Sequence, residues 1–148
     1  MLKTGSIIIT IWSSLNFLPA LYVVIGILFL GKHPPGLYAI LNEENIKSLS
    51  PEILATVDSI GLFANLSVVA LNLLILIAIW KGLNQRILWV FWALLAAIAF
   101  AILAGVAADY AVGYAFPEVN IVSTLILVTG FIFSAIGLFR PLPDGSVP

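Results

Sequence analysis

Cysteine is absent from this 148-residue chain, and histidine and methionine each occur once. Without thiols there is no disulfide, no cysteine nucleophile and no cysteine metal site. A lone imidazole, His33, cannot build a bis-histidine haem site or a usual zinc site. Charge is also scarce: Asp, Glu, Lys and Arg make up 9% of the residues, against about 25% in soluble domains. The formal net charge of −1 gives no pull toward nucleic acid. The G-x-S-x-G, H-E-x-x-H and P-loop patterns do not occur. The chain therefore reads as non-enzymatic, with no metal and no cofactor expected.

What is present is apolar: 62% of the residues are hydrophobic. Most of them fall in four runs that contain no charged residue: Ile7–Gly31, Ile60–Trp80, Ile87–Ala108 and Ile121–Phe139. Each run is about 19–25 residues, enough to cross a ~30 Å hydrocarbon core as a helix. Proton relays, ion-coupled pumps and voltage sensors need ionisable groups at membrane depth, and these runs offer none. Lys3 ahead of an apolar run resembles the start of a signal peptide. The run is about 25 residues, however, against ~7–15 for a signal core, so it reads as a retained first span.

The expected fold is an all-α membrane protein, a four-transmembrane-helix antiparallel bundle forming one integral membrane domain. Its segments are a first span over 7–31, an outer loop over 32–50 and a second helix over 51–80. A third span over 87–108, an outer loop over 109–120, a fourth span over 121–139 and a tail over 140–148 complete it. Lys3, Lys81, Arg86 and Arg140 fall on one side of the membrane. The other side holds Lys32 and Lys47 but also Glu43, Glu44, Glu52, Asp58, Asp109 and Glu118. Basic residues near span ends mark the cytoplasmic face, so both termini are expected there, in the cell membrane. Trp12, Trp80, Trp89 and Trp92 sit near the same ends, as headgroup-seeking rings would.

Local signals refine this outline. Pro19 lacks an N–H and should bend the first helix. Lys32-His33-Pro34-Pro35-Gly36 should stop it. Leu37, Ile40 and Leu41 have helical spacing, which fits either a short surface helix or a partly ordered loop. Ser50-Pro51-Glu52 is a helix start: serine caps, proline fits the first position and glutamate suits the positive end of the dipole. The second helix is then roughly ten residues longer than a span needs and should extend beyond the membrane on the outer side.

Two sets of residues are candidates for function. Asp58, Asn65 and Asn72 recur every seven residues and share one face of the second helix. At ~1.5 Å per residue, Asn72, Asn16 of the first span and Thr129 of the fourth lie ~12–15 Å from the cytoplasmic end. Such a layer either fixes helix register through amide hydrogen bonds, with Asn72 meeting Asn16, or lines a pocket for a lipid or small amphipathic molecule. The second set is small residues at four-residue spacing: Ala93, Ala97, Ala101 and Gly105 in the third span, Gly130 and Ser134 in the fourth. Small residues at this spacing let another backbone approach closely. The function expected is that of an accessory or scaffolding subunit packing in the bilayer against other membrane helices, in a homo-oligomer or a larger complex. The alternative is a carrier or binder of lipid through the Asn16/Asn65/Asn72 layer.

Overall fold

A computed structural model describes residues 1–111 and 118–140. Residues 112–117 of the expected second outer loop and the tail beyond Arg140 lie outside the described residues. Among the described residues the chain is helical without strands. Its elements are α1 (Leu2–Leu30), α2 (Pro35–Ile40), α3 (Glu43–Lys47), α4 (Pro51–Lys81), a 3-10 turn (Leu83–Gln85), α5 (Leu88–Ala111) and α6 (Glu118–Phe139). Four helical segments are long and apolar enough to cross a membrane: Leu2–Leu30, Pro51–Gln85, Leu88–Ala107 and Ile121–Phe139.

The first helix begins five residues before its apolar run and passes through Pro19 without a break. It ends at Gly31, whose φ of +59° is open to glycine at little cost. The loop between α1 and α4 holds two short helices. Pro35 opens α2 at the first helical position. Asn42 caps α3, its side-chain oxygen accepting from the Asn45 amide at 2.9 Å. Leu37 and Ile46 are the buried residues of these two helices.

Polar side chains within the long helices turn back on their own backbone. Thr56, Ser59, Asn65, Ser67, Asn72 and Thr129 each donate to the carbonyl four residues earlier, at 2.8–2.9 Å. In hydrocarbon an unpaired hydroxyl or amide hydrogen is costly, and this bond engages one such hydrogen within the helix itself.

The chain divides into two compact units, Met1–Ser13 with the chain from Ile75 onward, and Ser14–Leu74. In the first unit the start of α1 lies directly on α6. A Cβ added at Gly5 would collide with Ser134 and the Gly130 carbonyl, and one at Gly137 would collide with the Leu2 backbone. One at Gly130 would lie 2.8 Å from the Ile9 side chain. Trp12 donates from its indole nitrogen to Ser123 Oγ at 2.7 Å. Contacts thus run from Leu2 to Trp12 along α1 as they run from Gly137 to Ser123 along α6, so these two stretches are antiparallel. Trp12 departs from the headgroup-belt reading, because its one N–H is bonded to a serine on another helix. Trp80, Trp89 and Trp92 remain exposed.

The same unit is completed by α5. Phe91 meets Phe131 and Phe139 of α6 edge-on, at centroid distances of 5.7 and 6.2 Å. Val90, Leu94 and Ile98 are buried at four-residue spacing. The turn before α5 is tight: a Cβ at Gly82 would lie 2.6 Å from Val90. Arg86 ends the turn at a left-handed φ of 62°. Its Nη2 donates to the carbonyls of Gly137, Leu138 and Arg140 at 3.1, 3.1 and 2.7 Å. A helix leaves its last carbonyls without partners and with partial negative charge, and the guanidinium answers both.

The glycine contacts give a direct test. Gly5→Ala and Gly137→Ala should each destabilise the chain by about 1–3 kcal/mol, because overpacking outweighs the gain in helix propensity. Gly105→Ala, where an added Cβ meets nothing within 4 Å, should cost nothing. Unfolding in mild detergent, followed by circular dichroism, would register the difference.

Candidate functional site

The polar positions are best followed along α4. Asn72 is buried at 3% exposure, and its Nδ2 donates to the Val68 carbonyl at 2.9 Å. Asn65 is half-buried and donates to Gly61 at 2.8 Å. Asn16 of α1 is half-buried. Thr129 of α6 is exposed, its hydroxyl bonded to Leu125. The amide hydrogens of Asn65 and Asn72 are thus engaged, at least in part, within α4.

Asp58, one step up the same stripe, has a partner that spacing did not reveal. Its Oδ1 lies 2.8 Å from Nδ1 of His33, with both side chains about one-quarter exposed. A carboxylate only accepts, so the hydrogen of this bond sits on Nδ1. One turn further along α4, a Cβ at Gly61 would strike the Pro34 ring. Asp58 and Gly61, three residues apart, therefore share a helix face and hold the dipeptide His33-Pro34. Lys32 beside it points its ammonium at Tyr22, 3.1 Å from the hydroxyl and 5.4 Å from the ring centroid. No group of three His, Cys, Asp or Glu side chains suited to a metal ion occurs among the described residues.

The two small-residue patterns have different surroundings. On α6, Gly130 and Ser134 are buried against Gly5, Ile8 and Ile9 of α1. That face is occupied from within the chain. On α5, Ala93 and Gly105 are exposed and Ala97 and Ala101 are half-buried. Space around Gly105 is open. These residues precede the buried Leu94–Ile98 positions by one along the helix, so the open stripe borders the packed one.

Sequence reasoning missed the His33–Asp58 pair and the Arg86 cap. The first joins residues 25 apart and the second joins residues more than 50 apart. Only the positive-inside pattern singled out Arg86, and it gave no hint of a cap. No protein-family model, curated protein or solved structure matches the chain.

The His33–Asp58 bond should be visible energetically. In a double-mutant cycle with His33→Ala and Asp58→Ala, unfolding in detergent should give a coupling of about 0.5–1.5 kcal/mol. Additive losses would show that the two side chains merely lie near each other.

Proposed function

We propose that this chain is a non-enzymatic, multi-pass protein of the cell membrane that serves as an accessory or scaffolding subunit. Its four apolar helices cross the bilayer as an antiparallel bundle with both ends in the cytoplasm. The observation that carries this reading is the contrast between the two small-residue faces. Where the chain has its own partner for such a face, at Gly130 and Ser134, it uses it for close backbone packing. The equivalent face of α5 is open at Ala93 and Gly105 and half-buried at Ala97 and Ala101. Helix association in lipid relies on such close packing, since apolar side chains gain little by leaving lipid for each other.

Further support comes from the exposed surface. Phe100, Leu103, Ile121, Leu125 and Ile132 are large, apolar and exposed. Such a surface belongs in hydrocarbon or against another membrane helix. The amides of Asn65 and Asn72 bond within α4, which favours a structural role for them over a ligand-binding one.

Assembly is the first test. Purified in mild detergent, the chain should run as a complex with itself or with another membrane protein. Gly105→Leu should weaken that association by about 1–3 kcal/mol through overpacking. A strictly monomeric species, or a complex indifferent to Gly105→Leu, would contradict the proposal. Orientation is tested separately, and the absence of native cysteine makes it simple. A membrane-impermeant maleimide should label Glu43→Cys on intact cells and label Asn84→Cys only after permeabilisation. The reverse pattern would invert the topology.

A further inference from the structure

Three of the four basic residues of the first unit gather around one cleft. It has a volume of about 860 Å³ and is lined by Lys3, Arg86 and Arg140, with Ser6, Ile7 and Trp80 among its other walls. Among the described residues, no acidic side chain lines it. None of the three cations has a carboxylate within 4 Å among the described residues. The volume falls within the range of about 300–1,000 Å³ that holds small ligands.

Four observations agree on what would occupy it. The three cations converge from the start of α1, the turn before α5 and the end of α6, so positive charge is concentrated here, with no carboxylate beside it among the described residues. The N-terminal turn of α1 adds the positive end of a helix dipole. Arg86 spends one nitrogen on the α6 carbonyls, and the guanidinium has further donors on its other two nitrogens. Ser6 lines the cleft, is 97% buried at 3% exposure, and its hydroxyl has no hydrogen-bond partner. A buried hydroxyl without a partner is expensive, and a small shift of the side chains over it would let a ligand oxygen relieve it.

The walls define the rest of the ligand. Ile7, Ile11 and Trp80 line the cleft and are exposed, with Trp80 at 67%. The cleft therefore passes from charge to apolar surface along α1. We propose that it is a binding site for an anionic phospholipid. The phosphate-bearing headgroup sits among Lys3, Arg86 and Arg140, and the acyl chains lie along Ile7 and Ile11. A soluble phosphate would use the cations but not the apolar wall. This site is distinct from the α5 face, so either can fail without the other.

The test uses the chain in an uncharged detergent, titrated with phosphatidylglycerol or phosphatidylcholine of matched acyl chains. Bound lipid is counted by native mass spectrometry. Phosphatidylglycerol should bind roughly tenfold or more tightly than phosphatidylcholine. Lys3→Gln and Arg140→Gln, neither of which removes the α6 cap, should each weaken its binding about fivefold. Lys81→Gln, at a basic residue outside the cleft lining, should leave binding unchanged. Equal binding of the two lipids would overturn the proposal. So would an equal loss in Lys81→Gln, which would mean diffuse attraction. Displacement of the lipid by glycerol phosphate at comparable concentration would assign the cleft to a soluble phosphate and overturn the lipid reading.

Discussion

Hydrocarbon offers no hydrogen bonds, and the four helices that are long and apolar enough to cross it are built to that constraint. A chain that enters it must satisfy every backbone N–H and carbonyl from within, which favours long unbroken helices. The same constraint explains the behaviour of the polar side chains. From Thr56 to Asn72 along α4, hydroxyls and amides bond to the carbonyl four residues back. Each thereby places one hydrogen on its own helix.

Because apolar side chains gain little by leaving lipid for each other, helices that cross a membrane associate by other means. In the first unit they do so through backbone proximity. Gly5 and Gly137 bring α1 and α6 so close that an added Cβ would strike backbone atoms of the other helix, and Gly130 makes room for the Ile8 and Ile9 side chains. The carbonyls at the end of α6 would remain bare, and Arg86 covers them from the turn before α5. The left-handed conformation of Arg86, uncommon outside glycine and asparagine, is part of that turn. In the second unit the loop is fastened differently, by a hydrogen bond from His33 to Asp58 and by Pro34 resting on Gly61.

The four apolar segments were legible because hydropathy over about 20 residues is a strong signal. The start of α4 was legible from Ser50-Pro51-Glu52, and the helix does begin at Pro51. Other features depend on distance in sequence. The spacing of Gly130 and Ser134 announced a close contact, but nothing in it said that the partner would be Gly5 of the same chain. His33 looked solitary because its partner lies 25 residues on. Lys3, Arg86 and Arg140 were grouped by side of the membrane. Their convergence on one cleft needed the packing of α1 on α6. The start of α1 at Leu2 was hidden because Lys3, Thr4 and Gly5 are not apolar, although all three are helical.

The most direct measurement is hydrogen–deuterium exchange of the chain in lipid nanodiscs, resolved by mass spectrometry. Insertion of all four helices predicts that amides over 60–80, 88–107 and 121–139 stay protected for hours, as does the apolar stretch of α1. The loop around 42–50 should exchange at once. Rapid exchange throughout any one of the four segments would show that it lies outside the hydrocarbon and would contradict a four-span fold.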